Sequence, residues 1–193
     1  MQRSSSVDVL EPTGSRRWDA VLAGLRADGL DCLQSTVAAI ADDAHGSGSH
    51  LALGCRWRFP MPTEDGTVGV QPSVDERVRQ ARDELGFEVS PSQGPLNAAG
   101  LRLLADTAPV YVVAEAYDLR WLPYARASVR YRQMPHSFLL ERVGDGYFVV
   151  DAYYADTQWG RDRPGVWQLS AAQFDEARVG AGTGILMTPG AMP

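Results

Sequence analysis

Three residues in this chain carry chemistry that could combine: Cys32, His136 and Asp151. Cys32 lies in DGLDCLQSTVAAIADDAH, residues 28–45, with Asp31 before it and Gln34 after it. An aspartate followed three residues later by a glutamine is a capping-box variant, so a helix is expected to start at the cysteine. The free N–H groups and positive dipole end of a helix stabilise a thiolate, which suits a nucleophile. The same address suits a packed core cysteine. Nucleophilic catalysis also needs a histidine that takes and returns a proton, and a polar group that orients its ring.

Of the three histidines, His45 and His50 flank the Gly/Ser loop HGSGSH, without carboxylates or cysteines at metal-ligand spacing, and no metal site is expected there. His136 opens the apolar run HSFLLERV after Pro135, and fifteen residues later Asp151 closes YFVVD. The intervening Asp145-Gly146 is a favoured tight-turn pair, so the two runs read as a hairpin. Pairing about that turn sets Asp151 opposite Leu140, which shares the strand parity of His136, so both polar side chains fall on one sheet face.

These residues need a scaffold, and the pattern along the chain supplies one. Residues 1–14 read as a flexible leader and 15–193 as a single domain. SRRWDAVLAGLRADG reads as a short helix ending at Gly29. Leu33, Val37, Ile40, Ala41 and Ala44 fall on one face of the cysteine helix. LALGCRWRF alternates as a strand with Leu51, Leu53, Cys55, Trp57 and Phe59 on its buried side. Residues 73–86 and 97–106 read as helices, and PVYVVAEAY as a buried strand. GVWQLS and TGILMTP follow as strands, separated by a helix with Ser170 and Gln173 in capping-box spacing. Helices first and antiparallel strands later predict an α+β domain.

Composition narrows the function classes. The net charge is −6, which argues against nucleic acid as a partner. All 18 basic residues are arginine, which excludes lysine Schiff-base chemistry and a P-loop lysine. No apolar run approaches the roughly 20 residues of a membrane span, and the opening residues carry no signal-peptide pattern. A cytoplasmic protein with two free thiols is the expectation.

A helix-start cysteine, then a strand-start histidine, then an aspartate one hairpin later is the chain order of papain-like cysteine enzymes. DCLQSTVAAIA, PVYVVAEAYDLRWLPYA, HSFLLERVGDGYFVVDAYY and WQLSAAQF together resemble the N-terminal-domain family of butirosin biosynthesis protein H. C39-like peptidases and transglutaminase-like enzymes share the broader arrangement. The resemblance implies a papain-like fold, with the cysteine helix packed on a mainly antiparallel sheet. It implies Cys32 as nucleophile, His136 as general base and acid, and Asp151 as the orienting group.

It further implies acyl transfer, cyclisation or release from a carrier-protein thioester in specialised-metabolite biosynthesis. The partners would then be an acyl or peptidyl carrier protein and a small-molecule acceptor, and the resemblance is compatible with a homo- or hetero-oligomer. No cofactor is expected beyond phosphopantetheine on the substrate. A C39-type peptidase or amidase, or a non-catalytic binding subunit, is the alternative. The glutamine that papain-like peptidases place upstream of the cysteine is missing, so backbone N–H groups would have to form the oxyanion hole. Asp31 opposes the helix dipole at Cys32.

The segment from Tyr117 to Arg132 is the expected substrate or carrier-docking region. Tyr117, Trp121 and Tyr124 would wall a pocket, and Asp118 would bind an amine or cap a turn. Arg120, Arg126, Arg130 and Arg132 would meet a phosphate or an acidic carrier surface.

Overall fold

The computed structural model describes residues 10–54, 73–123, 134–157, 160–177 and 180–193. It is an α+β structure in which every strand pairing is antiparallel. The helices are α1 (Arg16–Gly24), α2 (Cys32–His45), α3 (Val74–Leu85), α4 (Ala98–Ala105) and α5 (Ala171–Ala177). The main sheet contains β1 (Phe87–Val89), β2 (Gln93–Leu96), β3 (Val110–Glu115), β4 (Pro135–Val143), β5 (Gly146–Asp151), β8 (Gly165–Ser170) and β9 (Gly182–Pro189). Its order is β1-β9-β3-β4-β5-β8, with β2 also pairing β9. β6 (Ala155–Thr157) and β7 (Gly160–Asp162) form a separate two-stranded ribbon. Among the described residues no helix is long and apolar enough to cross a membrane.

Period-2 alternation splits the sheet's side chains between two cores. Val110, Val112, Phe138, Leu140, Val149 and Trp167 pack with Leu101 of α4 and Phe174 of α5. Tyr111, Val113, Leu139, Val150, Val166 and Ile185 pack with Trp18 of α1, Leu33 and Val37 of α2, and Leu85 of α3. Covered on both faces, the central strands can be apolar at every position, as VYVVA in β3 is.

Several sequence expectations change in detail. α1 ends at Gly24, and a separate 3-10 turn covers Ala27–Gly29. Ala44 is exposed, whereas Ser35, Thr36, Ala38 and Ala39 join the buried residues of α2, because that helix has neighbours on several sides. Ser49–Gly54 is a 3-10 helix and not the start of a strand. Local bonds win there: Leu51 N–H reaches Gly48 O at 3.1 Å, and His50 N–H reaches Asp42 Oδ1 at 2.9 Å. Cys55, Trp57 and Phe59 lie outside the described residues. Residues 10–14, the end of the polar opening stretch, lie against β8, with Thr13 N–H on Val166 O at 2.8 Å and Trp167 Nε1–H on Leu10 O at 3.0 Å.

The β4–β5 hairpin forms with a shifted register. Val143 pairs Gly146 across Gly144-Asp145, where Gly144 takes φ +53°, so the turn sits one residue earlier than Asp145-Gly146. Leu140 therefore faces Val149 and not Asp151. A turn displaced by one residue moves the partner by two, which preserves parity.

Candidate active site

The site is assembled where the first turn of α2 meets the start of β4. Asp31 caps the helix: its Oδ1 accepts Gln34 N–H at 2.7 Å, and Gln34 Oε1 accepts Asp31 N–H at 3.5 Å. This capping box leaves the N–H groups of Cys32 and Leu33 out of it. Three contacts clamp the turn to the sheet. Ser137 Oγ–H donates to Cys32 O at 2.7 Å, Thr36 Oγ1–H to Ser137 O at 3.0 Å, and Tyr111 O–H to Leu33 O at 3.2 Å. Cys32 is a half-buried free thiol whose Sγ lies 3.2 Å from Pro135 O, on the residue before His136.

The clamp and the dyad use opposite parities of β4. Ser137 points to α2, while His136 shares the side of Phe138 and Leu140 and reaches Cys32 from the strand's end. His136 Nε2 and Asp151 Oδ2 are 2.6 Å apart, and both side chains are 1% exposed. Because an ionised carboxylate only accepts, Nε2 carries the proton of this bond and Nδ1 is left for Cys32. Asp151 is itself held: Oδ2 accepts Trp121 Nε1–H at 3.1 Å and Oδ1 accepts Tyr153 N–H at 3.1 Å. The Tyr153 ring stands edge-on to His136, 5.6 Å between centroids.

Burial opposes a charge on His136. The charge and hydrogen bond of Asp151, and the contact with Cys32, outweigh burial and lift its proton affinity well above the ordinary histidine range. Tyr153 holds its phenolic proton more tightly than usual, because of burial first and then the nearby Cys32, Asp162, Asp31 and Asp151. Its hydroxyl therefore keeps its proton and is available as a donor. The negative charge of Asp31 beside Cys32 has its own counterion. Arg77 of α3, 6% exposed, pairs with Asp31 through Nη2 and donates through Nη1 to Gln80 Oε1 at 2.5 Å.

Of the residues assigned to substrate binding, Trp121 is a correction. At 3% exposure it belongs to the core against Phe138 and Trp167, and its indole N–H orients Asp151 instead of walling a pocket. Tyr117 packs half-buried against the same core, and Asp118 closes a short 3-10 turn after β3. Arg120 is half-buried, with its N–H on Ala177 O at 2.9 Å. Tyr124, Arg126, Arg130 and Arg132 lie outside the described residues. His50 is buried, with Nδ1 2.8 Å from Asp42 Oδ2 and Nε2 accepting Arg26 N–H at 3.2 Å, so both ring nitrogens serve the fold.

Sequence reasoning missed Arg77, Ser137, Tyr153 and Asp162. Tyr153 and Tyr154 are adjacent tyrosines after Asp151. Only the fold separates them, turning Tyr154 outward under the Arg163 guanidinium, 4.2 Å from its ring centre. Beside Pro135, at the same end of the sheet, lies an open cavity of about 350 Å³ bordered by Val113, Ala114, Glu115, Gly182 and Thr183.

No protein-family model matches this chain, and no curated protein matches it. Among solved structures it is similar to a proposed C39-like peptidase from Bacillus anthracis. The two are 11% identical, with 82% of this chain and 90% of that one covered, at a TM-score of 0.44.

Proposed function

We propose that this protein is a papain-like cysteine enzyme that moves an acyl group through a Cys32 acyl-enzyme. The observation that carries the reading is the buried His136–Asp151 pair, 2.6 Å apart, meeting a half-exposed thiol at a helix start. A histidine held charged beside a thiol stabilises the thiolate, which is the attacking species.

In this reading the thiolate attacks the carbonyl carbon of a thioester on an acyl or peptidyl carrier protein. The N–H groups of Cys32 and Leu33 receive the oxyanion. Collapse breaks the carbonyl–sulfur bond to the carrier, and His136 protonates the departing thiolate, which leaves as the thiol. The acyl group stays on Cys32 until an amine, an internal carbon nucleophile or water attacks. His136 takes the attacker's proton and returns it to the leaving Cys32 sulfur. Asp151 keeps the Nε2–H tautomer throughout, as the third member of such triads does. The cavity beside Pro135 receives the acyl chain, and the Tyr117–Arg132 segment meets the carrier. The protein acts in specialised-metabolite biosynthesis.

The test is iodoacetamide labelling at pH 6 with peptide mass mapping, followed by intact mass after mixing with an acyl-phosphopantetheine thioester. Selective labelling of Cys32 over Cys55, with an acyl adduct on Cys32, is expected. A Cys32 as inert as a model thiol at pH 6, with no adduct, overturns the reading in favour of a binding module. Turnover of peptide amides with no thioester adduct overturns the carrier-thioester assignment and points to a peptidase or amidase.

A further inference from the structure

Asp162, the last residue of β7, is 4% exposed, and its Oδ2 is buried without a hydrogen-bond partner. A buried orphan carboxylate oxygen in a folded protein is costly and calls for an explanation. The neighbouring cation does not supply one. Arg163 gives Nη1 to the backbone oxygens of Ala155 and Asp162, at 3.0 and 2.8 Å, and Nη2 to Asp156 Oδ1 at 2.6 Å. The other ribbon charges are outside: Asp156 and Arg161 pair across the ladder with exposed side chains. Strand register sets it at the root of the ribbon: Asp162 pairs Ala155, four residues after Asp151, and Gly165, three residues on, pairs Asp151 itself. The charges of Asp151 at the end of β5 and of His136 at the start of β4 both act on its carboxyl.

We propose that Asp162 is a positioning residue of the site: its carboxylate is a second negative charge, behind Asp151, that holds the proton on His136. The inference rests on the cysteine-enzyme reading, since a charged His136 is what keeps Cys32 as a thiolate. The Arg163 backbone N–H bonds to this carboxyl but brings no counter-charge, and Oδ2 has no partner at all. Its net charge is therefore felt at the dyad, in surroundings where water screens it little.

Burial first, and then the like charge of Asp151, raise the Asp162 carboxyl to about 7, while His136 and Arg163 act in the opposite sense. The carboxyl therefore gains its charge near neutral pH, as a histidine would begin to lose its proton. The added charge extends the charged form of His136 to higher pH. The same displacement makes the residue a liability to the fold. A carboxyl that ionises near 3.8 when unfolded but near 7 when folded loses stability steadily as pH rises between those values.

Asp162→Asn removes the charge and preserves the volume. The experiment follows the ring signals of the three histidines by NMR against pH, in the wild type and in Asp162→Asn, with His136 assigned by its loss in His136→Gln. The His136 midpoint is expected to fall by about one pH unit, as for removal of a nearby charge. His50, tied to Asp42, is expected to stay where it was. Melting is recorded alongside, and Asp162→Asn is expected to gain on the wild type between pH 5 and pH 7.5.

An unmoved His136 midpoint in folded protein overturns the inference. So does a variant that melts lower than the wild type at pH 7.5, because the carboxylate would then be making a structural bond. Asp162→Ser provides the same comparison if the amide packs badly. The readout needs no substrate: a shifted His136 with an unreactive Cys32 would remove the enzyme reading and leave the electrostatic coupling standing.

Discussion

Replacing Asp151 with asparagine tests the site most severely, because its carboxylate accepts three different N–H donors. Oδ2 takes His136 Nε2–H and Trp121 Nε1–H, and Oδ1 takes Tyr153 N–H. An amide has one oxygen and one NH₂ group, so it cannot accept on both sides. With its oxygen in the Oδ2 position it turns the NH₂ against Tyr153 N–H. Flipped, it meets His136 and Trp121 with a donor, and His136 can respond only by moving its proton to Nδ1, the nitrogen that receives the thiol proton in the proposed route.

A hydrogen bond to a charged group contributes about 1.5–3 kcal/mol, and a neutral one about 1. Losing one bond and weakening two costs about 2–3 kcal/mol. Relief of the repulsion with Asp162 returns part of this, so we expect a net loss of about 1–2 kcal/mol. For a chain of this length that lowers Tm by about 2–8 °C.

The chemical effect should be far larger than the structural one. Without the Asp151 charge, burial dominates at His136 and drives the imidazole to its neutral form. Alkylation of Cys32 by iodoacetamide at pH 6 should then fall about 10- to 100-fold as the thiolate is lost. Turnover of a thioester should fall by about 10²- to 10⁴-fold. The pH dependence of stability should change as well. Because folded His136 binds its proton more tightly than the unfolded chain does, its stabilisation is complete below about 6.5 and is lost as pH rises through the folded value. Wild-type Tm should therefore decline toward alkaline pH more steeply than that of Asp151→Asn. If the variant is folded and Cys32 alkylates at the wild-type rate across pH 5–8, the argument that Asp151 charges His136 fails.

Cys32→Ala should cost only about 1 kcal/mol, since Asp31 supplies the cap, but should abolish any acyl adduct; an adduct persisting in that variant, or mapping to Cys55, would disprove the route. Cys32→Ser should melt like the wild type and remain unacylated, which intact mass reads directly. Arg77→Met should cost about 1–3 kcal/mol by stripping the counterion from Asp31, less than a fully buried pair because the Asp31 side chain is 23% exposed. It should also slow Cys32 alkylation at pH 6, whereas Arg77→Met combined with Asp31→Asn, which still caps, should restore it. Failure of the second change to restore labelling would show that Arg77 acts other than through Asp31.

The sequence was most legible where structure is local. Asp31 and Gln34 form the capping box their spacing suggests, and Ser170 and Gln173 do the same for α5, with bonds of 3.2 and 2.8 Å. The parity argument for His136 and Asp151 survived a turn placed one residue too late, because such an error displaces the partner by two positions and leaves the face unchanged. The strand reading of LALG failed for an equally definite reason. Alternating leucines fit a strand or a tight helix over so few residues, and the bonds from Asp42 to His50 chose the latter.

By itself, then, the sequence determined which residues begin α2, which strands carry His136 and Asp151, and that these two share one face of the hairpin. Those are consequences of caps, turns and period, each read within a few residues. Tertiary structure decided how they and Cys32 are tuned. Trp121 is an Asp151 donor and not a pocket wall, Arg77 of α3 answers Asp31, and Tyr153 rather than Tyr154 stands against His136. Asp162, an ordinary residue in RDRPG, becomes a buried carboxyl only because the β6–β7 ribbon brings the chain back to the end of β5. Burial and proximity between residues distant in sequence set those interactions, and neither leaves a periodic trace in the order of amino acids.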